Sequence, residues 1–587
     1  VKVFYTEDVF MAYFLKKSHL KNGLYLQIYF SFRDPEIKET RHRCIRSLGY
    51  VHNLQTPDIP DPIEYYQLEV NRMNADFKAE KTSSKDKKIS SLSPLRSLGY
   101  FPLKSVLDSL KISAFVDLFQ LGSRQEFSLS KAFEALVYAR AVNPCSKRKT
   151  CSDIIPSLWE DYSISYSQSL DALSLLGANY EKIVEILTNR TAEVYSLDTS
   201  SVFFDCTNFY FEIDAEDLLR RKGPSKKNRT DPILGMGLLL DRRCIPIGMR
   251  LYPGNQSEKP VLRSAVKDMK KHLSLQGKTV QVADKGLNCA QNIYEAKKGK
   301  DGYLFSRSVK TLLQIEKEWV LKDGDDEWKW VYDEEGKKKY RYKSCIDMFS
   351  YSFVMSGTGK RKKFSTKEKR IATFSPKLAK KKKMEIAKMV SKASRLCTSQ
   401  AKKSEYGESA KYMRFVSIGK DGAESGNEVA AEINEEAIAK DMELAGYNML
   451  VTSETEMEEK EIYKVYHQLW RIEESFRILK SELDARPVYL QDGNRIKGHF
   501  LVCYAAVLLE RIFQILILKD RFSAHAISEL IRNFNVIQTN RLQYVNTGTR
   551  TPLIEEMCKY YSLPLNNYFL TKGQIKKVLG YRFTPLP

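Results

Sequence analysis

The segment YHQLWRIEESFRILK, residues 466–480, carries charged side chains at helical spacing. Glu473, Arg477 and Lys480 follow one another at intervals of four and three, which places them along one face of a helix. Tyr466 stands seven residues before the Glu, close to the same side after two turns. A lone acid among bases on a helix is most often a solvated ion-pair face, so this segment alone specifies no chemistry.

Two apolar runs far upstream each end in an Asp. SVFFDCT contains Asp205 and TVQVADKG contains Asp284. Carboxylates are the ligands Mg²⁺ prefers, and two such ions about 3.5–4 Å apart promote in-line phosphodiester cleavage. Acids clustered without a cation would oppose each other's ionisation. If Asp205, Asp284 and Glu473 converge, they predict metal-dependent phosphoryl transfer; taken singly, each Asp is equally typical of a turn or cap.

The composition indicates a folded protein with a polyanionic partner. The 587 residues carry a net charge of +22 and a pI near 9.3. Nucleic acid is the first expectation for the partner, and an acidic membrane surface is the alternative. The 43% apolar and 11% aromatic content argues against a basic disordered chain.

Cysteine usage and hydropathy predict a cytoplasmic location. Ten cysteines are scattered without a CxxC pair, which is typical of a reducing cytosol rather than of a disulfide framework. The opening VKVFYTEDVFMAYFLKK lacks the apolar core of a signal peptide. The apolar run FLVCYAAVLLERIFQILIL is interrupted by Glu510 and Arg511, so we expect a buried helix and no membrane span.

The elements around the first two acids predict the fold class. Strand-like runs at 201–213, 233–241 and 245–252 precede a helix, a strand near 279–284, a second helix and a strand near 302–306. That order is the order of a ribonuclease-H-like α/β core, which places acids on its first and fourth strands. The helix with the third acid, expected over 458–482, arrives about 150 residues later, so we expect an inserted domain rather than a loop.

The remaining patterns predict the domain organisation. In chain order, the expectation is an N-terminal β-rich region (1–58), a linker (59–95), a helical domain that is a candidate for DNA binding (96–192), the first part of the core (193–306), a β-rich and basic insertion (307–450), the catalytic-helix part of the core (451–520) and a C-terminal helical region (521–587).

A basic block lies within the insertion. Residues 360–403 contain 17 Lys or Arg against two acids, an excess of 15. Many cations acting on one phosphate backbone add up through counterion release. The block therefore favours DNA contact over the alternative of a solvated helix that only aids solubility.

The Tyr466, Glu473 and Lys480 spacing resembles the Tyr-Arg-Glu-Lys signature of bacterial insertion-sequence transposases of the insertion-sequence-four group, which have a DDE catalytic triad. The signature Arg is replaced here by Leu469, and Arg471 lies close by. The runs at 253–258 and 481–504 also resemble segments of that group. The separations between the three acids are 79 and 189 residues, and the second fits the group's mainly β insertion. The resemblance covers roughly residues 195–515.

The resemblance implies a mechanism. Such an enzyme binds the terminal inverted repeats of its element, nicks DNA and joins the freed 3′-hydroxyls to target DNA, acting as a homodimer on paired ends. Asp205, Asp284 and Glu473 would ligate two Mg²⁺ or Mn²⁺ ions. The expected DNA-binding residues are Tyr466, Trp470, Arg471, Arg477 and Lys480. For Trp470, which could stack on an unpaired base, a core aromatic is an equal alternative. His467 and His499 are expected to be structural.

Two other functions stay open on the sequence. One is a nuclease of the same fold that cuts without joining. The other is a decayed transposase that only binds DNA. The replacement of the signature Arg by Leu469 is consistent with this second function. An RNA-binding protein would be expected to show an aromatic motif for binding single strands. The sequence shows no such motif, which argues against this function.

Overall fold

The computed structural model describes residues 12–33, 39–83, 93–123, 125–213, 215–223, 231–324, 327–355, 357–398, 403–417, 429–539 and 542–586. The chain divides into two compact units, residues 1–91 and residues 92–587. The first unit contains β1 (Ala12–Leu20), β2 (Gly23–Arg33), β3 (Thr40–Tyr50), α1 (Val51–Leu54) and α2 (Pro62–Ser83).

The first unit is β-rich where β strands are expected, but it also contains a long helix. Its strands pair antiparallel in the order β1-β2-β3. Helix α2 occupies 62–83, inside the segment expected to be a linker. Tyr66 and Val70 of α2 are only 7% and 1% exposed. Burial of this apolar face therefore stabilises a helix in a segment whose polar composition predicted a linker. The most polar part of the expected linker, residues 84–92, lies outside the described residues.

The second unit begins with a mainly helical region, as expected for residues 96–192. Its elements are β4 (Leu95–Ser97), α3 (Phe101–Leu110), α4 (Ser113–Leu118), α5 (Leu129–Val142), α6 (Lys147–Lys149), α7 (Ile155–Ser157), α8 (Tyr166–Ala178) and α9 (Tyr180–Tyr195).

Next comes an alternating α/β region. It contains β5 (Ser201–Tyr210), β6 (Ile233–Leu240), β7 (Pro246–Pro253), α10 (Glu258–His272), β8 (Val280–Ala283), α11 (Ala290–Lys298) and β9 (Gly302–Arg307). Strands β5, β6 and β7 are antiparallel neighbours, whereas β8 lies parallel to β5 and β9 parallel to β8. The mixed α/β fold class is therefore confirmed.

The insertion continues the same sheet. Its elements are α12 (Gln314–Leu321), β10 (Lys329–Tyr332), β11 (Lys338–Val354), β12 (Arg361–Phe374), α13 (Pro376–Thr398), β13 (Met413–Ser417), β14 (Val429–Ile433), α14 (Glu435–Glu443) and β15 (Tyr447–Thr452). Over the described residues the sheet order is β10-β11-β12-β15-β9-β8-β5-β6-β7. The sequence predicted a separate inserted domain. Instead, the insertion extends the large sheet, because β15 pairs with β9 and so forms the backbone hydrogen bonds that a buried strand edge requires.

The chain then forms α15 (Glu459–His467), α16 (Trp470–Arg477), α17 (Gly493–Arg511), α18 (Ala524–Asn533), β16 (Asn535–Gln538), β17 (Gln543–Asn546), α19 (Pro552–Tyr561), β18 (Phe569–Thr571) and α20 (Lys572–Leu579). The C-terminal region was expected to be helical, but its strands join β4 in a small sheet of order β18-β17-β16-β4. These strands are three or four residues long, too short for periodicity to reveal.

Two apolar layers enclose the large sheet. Phe203 and Phe209 of β5 pack on one face with α17, while Phe204 and Cys206 pack on the other with α10 and α11. This alternation follows from the two-residue period of a strand. The helical run Gly493–Ile517 is apolar and long enough to cross a membrane by length and composition, but 89% of its most apolar 18-residue stretch is buried inside the protein. It is the buried helix that the sequence predicts.

The α8–α17 crossing depends on two glycines. A Cβ added to Gly177 would lie 1.7 Å from the carbonyl oxygen of Asn494, and one added to Gly498 would lie 2.1 Å from that of Leu173. The two helix backbones are therefore in direct contact, which only glycine permits.

We expect Gly177→Ala to lower the free energy of unfolding by at least about 1–3 kcal/mol, because the new methyl group must force the helices apart. Chemical denaturation of the full chain measures this. Gly493→Ala is the matched control, since a Cβ there meets no described atom within 4 Å. Equal destabilisation by the two substitutions would contradict the close packing.

Candidate active site

Asp205 and Asp284 lie side by side on neighbouring parallel strands. In the β5–β8 register Phe203 pairs with Val282 and Phe204 with Ala283, so the next positions are the two acids. Neighbouring strands are about 4.8 Å apart. Asp205 shares the face of Phe203, and Asp284 shares the face of Val282. Both carboxylates therefore emerge on the side of the sheet that carries α17.

Asp284 is held by two hydroxyl groups. The Ser306 hydroxyl donates to its Oδ1 at 2.7 Å, and the Tyr466 hydroxyl donates to the same oxygen at 3.0 Å. Burial raises the pKa of Tyr466 well above its ordinary value, and the charge of Asp284 raises it further. Tyr466 is thus a neutral donor at physiological pH that positions Asp284.

The predicted helix over 458–482 is divided. Helix α15 ends at His467 and α16 begins at Trp470. In between, the Gln468 amide donates to the Val465 carbonyl and the Leu469 amide to the Tyr466 carbonyl, both at 3.1 Å. These three-residue closures tighten the turn relative to an α-helix. Residues Ile478–Glu482 then form a π-helical turn that contains Lys480.

A cleft of about 450 Å³ contains three of the predicted charged residues together with Asp205. They are Glu473, Arg477 and Lys480. The Lys480 ammonium donates to the Thr207 hydroxyl. Because Thr207 stands two residues after Asp205 on β5, this bond brings the Lys480 ammonium to the same strand face as the acid.

Thr207 and Arg486 are among the residues of this cleft that the sequence analysis did not single out. Thr207 could have been found from the strand alternation after Asp205. Arg486 lies beyond the end of the helical segment and also lines the cleft, with its guanidinium 4.8 Å from the centre of the Tyr210 ring. No local pattern marks Arg486, because the turn after the π-helix brings it back to the sheet.

The carboxylates offer oxygen donors suited to a hard divalent cation. Asp205 and Asp284 occupy adjacent strand positions, and Glu473 shares the cleft with Asp205. Among the described residues, no group of three or more His, Cys, Asp or Glu side chains stands close enough together to hold a metal ion. The expected convergence of all three acids is therefore not formed in this conformation, although the two aspartates fit such an ion.

The neighbouring acid, Glu474, has a structural position. It is buried and accepts a hydrogen bond at 2.7 Å from Arg511, whose side chain is 0% exposed. Burial raises the pKa of Glu474, but the charges and hydrogen bonds of Arg511 and Arg471 outweigh burial and hold the pKa below its ordinary value. Glu474 is thus committed to the core, whereas Glu473 is exposed in the cleft.

Arg471, which the sequence offers in place of the signature Arg, does not line the cleft. Its guanidinium forms ion pairs with Glu474, at 3.1 Å, and with Asp520. Trp470 is 50% exposed, so the core-aromatic alternative is wrong, and the Arg471 guanidinium lies 4.1 Å from the centre of its ring. His499 is buried and bonded to the Ala485 carbonyl at 3.1 Å, as expected for a structural residue.

A second cleft, of about 410 Å³, borders Asp284 on the side of α11. Lys285 and Arg307 line it together with Asn288, Cys289 and Tyr351. Lys285 follows Asp284 directly, and Arg307 follows Ser306 at the end of β9. Cationic side chains therefore line both this cleft and the cleft that contains Asp205.

The family model of the transposase DDE domain matches residues 213–509, just over half of the chain. The chain belongs to this family. The matched stretch includes Asp284 and Glu473 and begins shortly after Asp205. Family membership supports DNA as the partner that the charge predicts.

Among solved structures, the piggyBac transposase in a synaptic complex with hairpin DNA is similar to this chain at a TM-score of 0.37 and 10% identity. The similarity covers 74% of this chain and 78% of that one, and it is too low to carry a conclusion about this DDE-domain protein. No curated protein matches the chain.

We expect Glu474→Ala to lower the free energy of unfolding by about 3–5 kcal/mol, because it leaves the buried Arg511 charge without its partner. Glu473→Ala, one residue away, should change it by less than about 0.5 kcal/mol. Urea unfolding of both variants checks this. Equal destabilisation would mean that Glu473 is not the acid that faces the cleft.

Proposed function

We propose that this protein is the DNA transposase of a bacterial insertion sequence of the insertion-sequence-four type. It binds terminal inverted repeats, cleaves phosphodiesters and joins the 3′-hydroxyl ends to target DNA. The supporting observation is the placement of Asp205 and Asp284 at adjacent positions of parallel strands, with Glu473 in the same cleft as Asp205. The strand order β7-β6-β5-β8-β9, with Asp205 within the first strand and Asp284 directly after the fourth, also fits a ribonuclease-H-like core.

Asp205, Asp284 and Glu473 are the proposed ligands of two Mg²⁺ or Mn²⁺ ions. Such ions activate the attacking water or hydroxyl and stabilise charge on the leaving oxygen. Glu473 lies in the cleft with Asp205, and Asp284 follows on the neighbouring strand. The Tyr466 and Ser306 hydroxyls keep the Asp284 carboxylate oriented.

Cations of the cleft bind the DNA backbone in this proposal. Lys480 is held beside Asp205 through Thr207, and Arg477 is exposed at the cleft edge. Arg486 supplies a further cation at the cleft. The exposed ring of Trp470 is available to stack on a base.

The protein acts on DNA ends as a homodimer, in the cytoplasm and on the nucleoid, without a membrane partner. The net charge of +22 supports a polyanionic partner. The basic block adds to it, because Lys380, Lys381, Lys382 and Lys383 are exposed on α13; residues 399–402 of that block lie outside the described residues.

The catalytic proposal predicts metal-dependent nicking and strand joining on the element's terminal DNA. Asp205→Asn, Asp284→Asn and Glu473→Gln should each abolish both steps while duplex binding persists, because only the metal ligands are changed. Glu461→Gln, which removes an exposed acid of α15 outside the cleft, should leave both steps intact. Gel analysis of end-labelled DNA with Mg²⁺ or Mn²⁺ measures each product.

Cleavage without joining would instead assign a nuclease. Binding without cleavage by the wild-type chain would assign a decayed transposase and reject the catalytic proposal.

The DNA-contact proposal for the basic block predicts a change in salt dependence. Lys380→Gln with Lys381→Gln should weaken duplex binding and flatten the slope of log affinity against log salt by about 0.9 for each lost phosphate contact. Lys572→Gln with Lys576→Gln on α20 removes the same charge elsewhere and should leave the slope unchanged. Unaltered binding by the α13 variant would refute the contact.

A further inference from the structure

The sheet of the first unit has two unlike faces. Leu26, Ile28 and Phe30 of β2 are buried on one face. There the centre of the Phe30 ring lies 5.6 Å from the centre of the Phe77 ring of α2. Asn74 of α2 bonds the backbone of Tyr13 in β1 through both its amide oxygen and its amide nitrogen. Helix α2 therefore covers this face and holds the strands of the sheet in place.

The opposite face carries polar groups and aromatic rings in rows across the three strands. The register places together, from β1 to β3, the rows Ala12–Ser31–His42, Phe14–Tyr29–Cys44, Lys16–Gln27–Ser47 and Ser18–Tyr25–Tyr50. These side chains are exposed or half-buried within residues 12–33 and 39–50. Short helix α1 contacts the sheet where His52 stacks on Tyr50 at 5.5 Å.

The polar groups of this face are ordered by their neighbours. The Gln27 amide nitrogen donates to the Ser47 hydroxyl at 3.2 Å. The Lys16 ammonium lies 4.7 Å from the centre of the Tyr29 ring, and the Phe14 ring contacts both Tyr29 and His42. Donors and acceptors thus stand at the centre of a rigid surface, an arrangement that can distinguish base edges.

Positive charge is concentrated on the strands of the first unit. Residues 12–33 and 39–50 contain seven Lys or Arg and one acid, Glu39. Arg41, Arg43 and Arg46 lie on the edge strand β3, but their register partners Phe32, Phe30 and Ile28 place them on the side of α2, where Arg46 pairs with Glu69 at 3.0 Å. Lys16 supplies a cation within the four rows of the opposite face. That face therefore combines base-reading groups with a cation on β1, in a set of strands whose net positive charge attracts a polyanion.

We infer that this sheet face, named here the β1–β3 face and defined by the four rows above, binds double-stranded DNA in the major groove and reads sequence. Three strands about 4.8 Å apart span a width close to that of the major groove, about 12 Å. Two ring pairs of the face meet edge to face, Tyr25–Tyr50 at 87° and Phe14–His42 at 80°, which suits apolar contact with base methyl groups better than intercalated stacking. This inference rests on the proposed function, because it names the surface that recognises the DNA of the element.

Selection of duplexes by the full chain tests the β1–β3 face. The wild-type protein is incubated, with a chelator to prevent cleavage, with a library of duplexes of randomised sequence. The variants are Gln27→Ala and Lys16→Ala, and the matched control is Arg72→Ala, which removes an exposed cation of α2. Circular dichroism and the unfolding midpoint confirm that each variant is folded.

Gln27→Ala should reduce the preference for the selected sequence over a scrambled duplex about tenfold, because a base contact is lost. Lys16→Ala should weaken binding to all duplexes by a similar factor, because a phosphate contact carries no sequence information. Arg72→Ala should select the wild-type sequence with wild-type affinity.

Selection of the wild-type sequence with unchanged affinity by both face variants would overturn the inference. So would tighter binding of single strands than of duplexes by the wild type. Metal-dependent cleavage is assayed in parallel. If cleavage persists while the face variants behave as wild type, only the β1–β3 face is rejected; if the wild type neither selects nor cleaves DNA, the proposed function fails as well.

Discussion

The parallel pairing of β5 with β8 is the constraint on which the candidate active site depends. It brings together two acids that stand 79 residues apart in the chain, since Asp205 and Asp284 continue the register of Phe204 and Ala283. A slip of one residue would turn one carboxylate to the opposite face of the sheet. The apolar layers on both faces prevent such a slip, because Phe203 and Phe204 are buried on opposite sides.

A buried ion pair sets the orientation of the third acid. Glu474 and Arg511 join α16 to the core helix α17, and this bond leaves Glu473 on the side of the cleft. The cost of breaking a buried pair is large when one partner remains unpaired. Adjacent residues of the same type thus have different tasks: Glu474 anchors the helix and Glu473 is free to meet a ligand in the cleft.

The sequence predicted the two acids, the order of the five strands around them and the buried helix, because strand and helix periods are local signals. The prediction that Asp205 ends its strand was wrong, because β5 continues to Tyr210. Sequence analysis predicted the local structure less well where contacts between distant parts of the chain determine it. The turn at Gln468 and Leu469, the helix at 62–83 and the pairing of β15 with β9 depend on packing that lies far away in the chain. Arg486 escaped detection for the same reason: only the folded chain brings it into the cleft.

Mn²⁺ binding, followed by electron paramagnetic resonance, reports on the carboxylates of the candidate active site without requiring the correct DNA. We expect saturable Mn²⁺ binding by the wild-type chain that is lost in Asp205→Asn and in Asp284→Asn, and retained in Asp161→Asn, which changes an exposed acid elsewhere. Retention of the same binding in both active-site variants would contradict it, since the two aspartates would then not be the ligands of the metal.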